Sequence, residues 1–495
     1  MISRALLLTG TALLLASCEV GPDFNPPKIP ADAGYTPEKQ PAATTATAIA
    51  GGASQKFVAG KDIPGQWWTL FHSEPLNQLI QEALKANPTL EAAQATLREA
   101  QQNTAAEKGV FIPGLGGSYS TTREKISGAE FGNPNSSSIF TLSTGSVSVS
   151  YGIDFFGGER RQLESTEAQE DYERYELEAA YLTISSNVVT AAIQEASLRA
   201  QIAATQDIIT AQQQELDVLQ KQFALGGVAR AAVLAQQATL NATQATLPNL
   251  QKQLNVQRDQ LTALAGRYPS QQISQTFTLA DLQLPEDLPL SLPSKLVEQR
   301  PDIQAAQAQL HSASAQIGVA IGNMLPQITI NGSYGNTVLD IGSLLSGPGI
   351  WSIGAGLATP VFRGAQLFHQ KEAAVEAFNA SQAQYRSTLI TAFQNVADSL
   401  RALQTDADAL AAQVAAENSA ADNLKITRVQ YQLGAINYTT LLNAETTYQQ
   451  AHVNRVIAQA SRYADTAALF EALGGGWWNR SDVASNDSDP SPKQP

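Results

Sequence analysis

The chain has 495 residues, of which 15% are charged and 43% hydrophobic, and its 31 basic and 45 acidic side chains give a net charge of −14. This composition is too apolar for a disordered chain, and the acidic balance excludes a typical nucleic-acid partner. The single cysteine excludes a disulfide within the chain, and the four scattered histidines lack zinc-ligand spacing, so we expect neither a metal site nor an enzyme. The acidic excess either keeps the protein soluble or lines a lumen that favours cations.

Residues 1–17 carry one basic side chain, an apolar run and small residues before Cys18, which is the pattern of a secretory signal peptide. The sequence Leu15-Ala16-Ser17-Cys18 resembles a bacterial lipobox, in which the cysteine is acylated and becomes the first residue. We therefore expect a covalent lipid on Cys18 and no other cofactor, the alternative being an ordinary cleavage site. Because Glu19 replaces the aspartate that would signal retention in the inner membrane, the anchor is expected in the outer membrane.

Residues 18–66 are rich in proline and predict an extended, flexible linker without a core of its own. A compact region is expected to begin at Trp67 and to continue as helix to Val110, with a break at Pro88. Its counterpart in the second half of the chain covers 296–323.

The apolar period then changes from that of a helix to that of a strand in both halves of the chain. Apolar residues alternate strictly with small or polar ones in two segments, and a weaker strand precedes each. The predicted strands lie at 116–122, 146–155, 327–335 and 351–358, and the loops between them at 123–141 and 336–349.

A strand of about ten residues with one apolar face is long enough to cross a bilayer, although a soluble antiparallel sheet is the alternative. Strands in lipid must close into a barrel, because unpaired backbone groups are costly there. Four strands per chain are too few, so we expect three chains to contribute about 12.

Two stretches without glycine or proline, within 159–225 and 365–433, predict two very long helices. Their apolar residues form coiled-coil seams with three- and four-residue spacing. The seams run from Tyr181 to Phe223 and from Leu389 to Tyr431, and they include polar residues at Glu195, Gln212, Glu417 and Arg428. Tyr181 and Leu389 are 208 residues apart, and so are Phe223 and Tyr431. The chain therefore contains a duplication.

A glycine turn follows each long helix and opens an antiparallel return helix. The turns are Leu225-Gly226-Gly227-Val228-Ala229 and Leu433-Gly434-Ala435-Ile436-Asn437, and the return helices cover 230–266 and 438–473. The predicted organisation is a signal peptide (1–17), a lipidated linker (18–66), a first repeat (67–266, hairpin 114–155), a connecting segment (267–295), a second repeat (296–476, hairpin 327–360) and a disordered tail (477–495).

Several of these motifs resemble the outer membrane factors, the TolC-like channels of tripartite efflux pumps, and in particular their lipoprotein branch of NodT and OprM type. The residues that carry the resemblance are the duplicated hairpins and turns, the sequence 18–24 after the lipobox, and the second turn, 433–438, followed by Leu441-Leu442-Asn443-Ala444. The resemblance extends from Cys18 to Gly476.

The resemblance implies a mainly α fold with a transmembrane β-barrel part: a homotrimer with four strands per chain in a shared barrel, and long helices in a periplasmic α-barrel. It implies an outer membrane channel of a Gram-negative bacterium, a passive conduit for drugs, toxic compounds or metal ions. The implied partners are outer membrane lipid, a periplasmic membrane fusion protein and an inner-membrane RND-type pump or ABC exporter. The alternatives are a channel for type I protein secretion and a non-channel coiled-coil adaptor, which would leave the amphipathic strands unexplained.

The resemblance also assigns roles to the two turns and their surroundings. Docking of the membrane fusion protein is expected at six turn residues, where glycine permits unusual backbone conformations and close approach, although a plain interhelical turn is the alternative. These residues are Gly226, Gly227, Val228, Gly434, Ala435 and Ile436. A constriction is expected at Tyr431, Thr440 and Asn443. Because Asn443 stands where the family often has aspartate, a carboxylate ring is not expected, and a local capping role for Asn443 is the alternative.

Overall fold

The computed structural model describes residues 19–27, 34–38, 40–133, 135–290 and 293–480. Cys18 and the signal peptide 1–17 lie outside the described residues, as does 481–495. The helices are Glu74–Ala86 (α1), Pro88–Lys108 (α2), Gly158–Ala224 (α3), Arg230–Leu264 (α4), Pro293–Gln299 (α5), Pro301–Gly322 (α6), Gln366–Gln432 (α7) and Tyr438–Ala472 (α8). The strands are Lys56–Ala59 (β1), Gly114–Ser127 (β2), Ser137–Ile153 (β3), Asp287–Leu290 (β4), Gln327–Val338 (β5) and Gly349–Ala358 (β6).

The chain divides into two compact units, and each contains segments from both halves of the sequence. The first unit comprises Met1–Pro27, Thr96–Arg174 and Ala305–Arg386, and the second comprises Lys28–Ala95, Tyr175–Gln304 and Ser387–Pro495. The long helices α3 and α7 contribute to both units, and each has 67 residues, which corresponds to about 100 Å. No helix among the described residues is long and apolar enough to cross a membrane.

The first unit contains a four-stranded antiparallel sheet in the order β2-β3-β5-β6. Its register is unbroken, so side chains alternate between two faces along each strand. One face, the apolar face, presents the exposed side chains Leu115, Tyr119, Val147, Val149, Ile153, Ile330, Tyr334, Trp351, Ile353 and Leu357. The opposite, polar face carries Ser and Thr pairs such as Ser118 with Ser146 (2.9 Å) and Ser333 with Ser352 (2.8 Å).

The four predicted strands are confirmed, and each is longer than predicted, although β3 ends at Ile153 rather than at Phe155. The hairpins that they form, 114–153 and 327–358, agree with the predicted 114–155 and 327–360 to within two residues. β2 extends to Ser127 and pairs with β3 down to Ser137, so the connecting loop covers 128–136 rather than 123–141. The sequence Arg123-Glu124-Lys125 lacks strand propensity, but backbone pairing with the β-branched partners Thr141 and Ile139 continues the ladder. The second loop is shortened in the same way, because β5 extends to Val338.

The second unit is built on the predicted coiled-coil seams. Seam residues such as Val188, Leu216, Leu400 and Leu410 are at most 2% exposed, and the predicted bounds of the long helices are confirmed to within one residue. The two return helices end alike. The Asn87 side-chain amide donates to the Leu264 carbonyl (2.9 Å), and the Arg300 guanidinium donates to the Ala472 carbonyl (2.9 Å), each satisfying a carbonyl that the helix leaves free.

The prediction of a free linker over 18–66 is wrong at two places. Val20 and Asp23 are hydrogen-bonded within the first unit, and residues 40–66 pack against the second unit's helices. The fully buried Arg462 of α8 donates to the carbonyls of Gly51 (3.0 Å) and Ala53 (3.1 Å) and to the Gln55 side chain (3.1 Å). β1 pairs in parallel with β4 of the connecting segment. Hydrogen bonding to a buried cation therefore orders a segment that has no apolar periodicity.

The predicted tail boundary is also wrong, because residues 477–480 are packed. The Trp477 indole donates to the Gln299 carbonyl (2.8 Å), and the Arg480 guanidinium donates to Glu178 (2.7 Å) and lies 4.0 Å from the centre of the Tyr181 ring. The structured second repeat therefore extends to at least Arg480.

Candidate functional site

The candidate site consists of the two turns that end α3 and α7, together with the helix ends around them. In both turns the glycine amide, of Gly226 or Gly434, donates to the carbonyl three residues earlier at 2.9 Å. The next amide donates to the carbonyl five residues earlier, at 2.8 Å in the first turn and 2.9 Å in the second. Both turns therefore have the Schellman geometry of a helix C-terminus, at positions 208 residues apart.

Glycine is required at only one position of each turn. Gly226 (φ +77°) and Gly434 (φ +71°) are left-handed, and a Cβ at either would meet no atom within 4 Å. Gly227 is not left-handed, and a Cβ there would lie 3.4 Å from the Gln222 carbonyl oxygen, which is an ordinary contact. The prediction that Gly227 needs a special backbone conformation is therefore wrong, and Ala435 occupies the equivalent place in the second turn.

The surface around the turns is apolar and exposed. Leu225 is 87% and Leu433 is 79% exposed, whereas Val228 and Ile436 are half-buried. Because large aliphatic side chains at the end of a helix hairpin gain nothing from exposure to water, this surface is suited to contact with another protein.

The return helices begin differently. The Asn437 side-chain oxygen accepts from the Thr440 amide (3.0 Å) and from the Thr440 hydroxyl (3.0 Å), so α8 has a side-chain cap. α4 begins after Ala229, which has no side-chain cap. The second hairpin therefore has the more firmly fixed start.

Next to the turns, a small apolar core joins the two hairpins. Its buried members come from α3, α7 and α8, and residues at the start of α4 pack against it. The buried members are Leu219, Leu424, Tyr438, Leu441 and Ala444, and the half-buried ones include Val228, Ala232, Val233 and Tyr431. The ends of the hairpins are thus one packed structure.

A polar layer lies beside this core and connects three helices. The Tyr438 hydroxyl donates to the Gln236 side-chain oxygen at 2.5 Å, and the Gln236 amide donates to the Gln212 carbonyl at 2.9 Å. The Gln212 amide donates in turn to the Gln449 side chain at 3.2 Å. Gln212, Gln236 and Tyr438 are buried, so each depends on these bonds for its polar atoms.

An ionic contact lies in the same region. The Arg428 guanidinium is 3.3 Å from the carboxylate of Glu445, which is only 4% exposed. Burial raises the pKa of Glu445, the charge of Glu215 raises it further, and Arg428 lowers it. Burial likewise raises the pKa of Glu215, against the lowering effect of Arg428. The charge of Arg428 therefore favours the ionised form of two carboxyl groups near the turns, and only Glu445 is within ion-pair distance.

The two repeats have the same backbone, but the ion pairs of one seam do not recur at the equivalent positions of the other. Glu417 binds His452 (2.5 Å) and Arg455 (3.0 Å), but the position 208 residues earlier is Ile209. Glu195 binds Arg199 (2.7 Å) and Arg258 (2.9 Å), but the position 208 residues later is Leu403. The two hairpins therefore share a shape but differ in electrostatics.

The three predicted constriction residues lie near the second turn. The Tyr431 hydroxyl donates to the Gln222 side chain at 3.4 Å, and its ring packs edge-on against Tyr438 with centroids 5.6 Å apart. Thr440 and Asn443 are exposed and, being three residues apart, lie on one side of α8. Within the described chain the Asn443 side chain has no hydrogen bond, and Asn437 performs the capping that was the alternative for Asn443.

Sequence reasoning placed the turns but missed the polar layer of Tyr438, Gln236 and Gln212 and the ionic contact between Arg428 and Glu445. The polar seam residues Gln212 and Arg428 were the available signal, because a polar residue on an apolar seam must find a partner on a neighbouring helix. The partners of Gln212 and Arg428 depend on how the two helical hairpins are aligned along each other, and the spacing of the seam residues does not predict this alignment.

The fold has a solved counterpart. The outer membrane channel CmeC of Campylobacter jejuni superposes with a TM-score of 0.83 at 22% identity, covering 95% of this chain and 98% of that one. The antiparallel sheet with one apolar face, the paired long helices and the helix-end turns therefore have the fold of the TolC-like proteins.

Two relatives and a family description narrow this class. OpmQ of Pseudomonas aeruginosa, a pyoverdine export outer membrane protein, is 30% identical, with 83% of this chain and 87% of that protein covered. CusC of Escherichia coli, a cation efflux system protein, is 27% identical, with 94% and 97% covered. The model of the outer membrane efflux protein family matches residues 79–267 and 292–475, so the chain belongs to this family. It is an efflux channel of the outer membrane, and its family and fold are those of channel proteins rather than of enzymes.

Proposed function

We propose that three copies of this chain form one passive outer membrane conduit, closed by pairing the edge strands β2 and β6 of neighbouring copies. The observation that carries this proposal is the sheet itself, which has one exposed apolar face and two unpaired edges. Unpaired backbone groups at an edge are not tolerated in lipid, and only pairing with a further strand removes them. Three sheets of four strands give a barrel of about 12 strands.

The two turns are the docking surface for a periplasmic membrane fusion protein, at Gly226, Gly227, Val228, Gly434, Ala435 and Ile436. The exposed Leu225 and Leu433 beside the open space around the two left-handed glycines support this assignment. A helical hairpin of the partner could approach the turns closely, because no side chain projects from either glycine.

Tyr431, Thr440 and Asn443 form the constriction. The exposure of Thr440 and Asn443 on one side of α8 supports this role, since three copies of that face would surround a central axis. Polar, uncharged side chains there would leave the opening without strong ion selectivity.

Cys18 carries the lipid anchor. The segment that directly follows Cys18 supports this role, because hydrogen bonds hold that segment next to the end of β3. The Val20 amide donates to the Phe156 carbonyl (3.1 Å), and Arg161 donates to the Val20 carbonyl (3.1 Å) and to Asp23 (2.7 Å). The end of a membrane-crossing strand lies at the bilayer surface, where acyl chains on the neighbouring cysteine can insert.

The conduit carries small molecules or metal ions delivered by an inner-membrane pump of RND type. The names of the two relatives support efflux over protein secretion, because they refer to pyoverdine export and to cation efflux.

Cysteine pairs test the closed trimer. The native Cys18 is the only cysteine, so new pairs report without interference once it is acylated. Leu115→Cys on β2 is combined in turn with Trp351→Cys, Ile353→Cys and Leu357→Cys on β6, all on the apolar face. Oxidation should give a covalent trimer for the pair in register, whereas the matched control Leu115→Cys with Ser352→Cys, on the opposite face, should give none. A conducting channel without intersubunit disulfides in any same-face pair would refute the arrangement.

Substitutions in the second turn test docking. Gly434→Trp fills the open space and should abolish pump-dependent resistance while leaving the trimer in the membrane. Gly434→Asn tolerates the left-handed backbone and should retain resistance, which separates blocked docking from backbone strain. Gly60→Trp is the matched control, because Gly60 is also left-handed (φ +74°) with nothing within 4 Å. Full resistance with Gly434→Trp would remove the turn from the docking surface.

A further inference from the structure

The four-stranded sheet contains charged residues at a single place. Within Gly114–Ser127, Ser137–Ile153, Gln327–Val338 and Gly349–Ala358, the charged side chains are Arg123, Glu124 and Lys125, consecutive on β2. All three are exposed. Charges are costly on a lipid-facing strand, so their confinement to one end of one strand requires an explanation.

The register divides these charges between the two faces. β2 is paired without a bulge from Gly114 to Ser127, so Arg123 and Lys125 share a face with Leu115 and Tyr119. Glu124 lies on the opposite, polar face. The residues directly across on β3 are Thr141 and Ile139, and among the described residues neither basic side chain has an ion pair. The apolar face therefore ends in two basic side chains that no acid of the described residues pairs with.

The height of these side chains follows from the strand geometry. The apolar face extends from the row of Ile153 to the row of Ser143, ten residues along β3. At about 3.4 Å per residue and a tilt of about 40°, this corresponds to about 26 Å, close to the height of a barrel's apolar band. Arg123 pairs with Thr141, two residues beyond Ser143, and therefore lies about 5 Å past the band, with Lys125 about 10 Å past it.

The loop between β5 and β6 marks the same level independently. It folds over the apolar face, where the Asn336 amide donates to the Leu344 carbonyl (2.7 Å) and a Cβ at Gly145 would meet the Leu344 side chain at 3.4 Å. Ser143, two residues from Gly145 on the same face, is 2% exposed, and Leu345 of the loop is 96% exposed. The aliphatic residues of this loop therefore lie where the apolar band ends, and Arg123 and Lys125 lie just beyond that level.

We propose that Arg123 and Lys125 bind the phosphate groups of an anionic lipid headgroup in the outer leaflet of the outer membrane. This inference rests on the proposed barrel. A guanidinium and an ammonium on one face, two residues apart, suit the paired phosphates of a phosphorylated glycolipid. The site fixes the vertical position of the channel, because apolar residues lie directly below it and a charged headgroup directly above.

The test compares four purified channels in detergent with added lipid A, measured by native mass spectrometry. Arg123→Gln/Lys125→Gln should bind lipid A about 30-fold more weakly than wild type, since each basic side chain near such a surface contributes about fivefold. Glu124→Gln, on the same strand but the opposite face, is the matched control and should bind as wild type does. Arg123→Lys should retain most of the binding.

Dephosphorylated lipid A should bind all four proteins equally weakly, and inorganic phosphate should not displace bound lipid A at millimolar concentration. Equal lipid A binding by the double variant and wild type would overturn the proposal, and so would displacement by inorganic phosphate, which would indicate a free-anion site. Conductance in planar bilayers is measured on the same samples. A wild-type protein that binds lipid A but does not conduct contradicts the proposed conduit, whereas a double variant that conducts normally but still binds lipid A contradicts only this inference.

Discussion

Removing the Tyr438 hydroxyl should loosen the end of the two hairpins without disturbing their apolar core. Tyr438 is 7% exposed, and its hydroxyl donates to Gln236 across two helices at 2.5 Å. Tyr438→Phe keeps the ring in the core but leaves the buried Gln236 oxygen without its donor. A buried acceptor left unpaired costs about 1–3 kcal/mol, which is about 5- to 150-fold in a local opening equilibrium.

Amide hydrogen exchange measures this opening directly. In Tyr438→Phe, amides of α4 and α8 near the turns should exchange faster by that factor, and amides near Leu264 and Ala472 should not change. Tyr448→Phe is the matched control, because Tyr448 is half-buried on the same helix and its hydroxyl has no hydrogen bond within the described chain. Unchanged exchange in Tyr438→Phe, or an equal increase in Tyr448→Phe, would refute the role assigned to the Tyr438 bond.

Three further predictions concern other parts of the second unit. Asn443→Asp should raise cation preference and Asn443→Lys should shift it toward anions, as measured by reversal potentials under a salt gradient; unchanged potentials in both would place Asn443 away from the constriction. Burial and the neighbouring Asp465 raise the pKa of Asp406 to about 7, against the effect of Arg462. Because the folded-state pKa lies above the unfolded value of about 3.9, wild-type stability falls as pH rises from about 4 to 7. Asp406→Asn should therefore be more stable than wild type at pH 8, by about 1–2 kcal/mol after allowance for solvent screening, and the advantage should vanish near pH 4. An equal advantage at both pH values would contradict the raised pKa of Asp406. Arg462→Met should free residues 40–55 and make them sensitive to protease while the helices stay folded, and a protease-resistant segment would show that β1 pairing alone holds it.

The helices and their duplication could be predicted because the information is local. The long glycine- and proline-free stretches, and the glycines that end them, set the limits of α3 and α7 wherever the rest of the chain lies. The turns of the candidate site were found for the same reason. Alternation also revealed the strands over 146–155 and 351–358, since a half-buried strand carries its own period.

What could not be predicted depends on partners distant in the sequence. Residues 40–66 are ordered by Arg462, about 400 positions away, and the outer part of β2 by its pairing with β3. The Tyr438–Gln236 bond joins residues 202 positions apart. Such contacts require the alignment of the hairpins, which no repeat period specifies.

The hydrogen bonds that close the ends of α4 and α8 have a mechanical consequence. Asn87 and Arg300 bind the C-terminal ends of the return helices α4 and α8, and at the opposite ends the two hairpins share one apolar core. Each return helix has 35 residues, which separate its hydrogen-bonded end from the turn by about 50 Å. A rotation of about 5° about the hydrogen-bonded ends would displace the turns together by about 4–5 Å, so a small rearrangement there is enough to shift the proposed constriction.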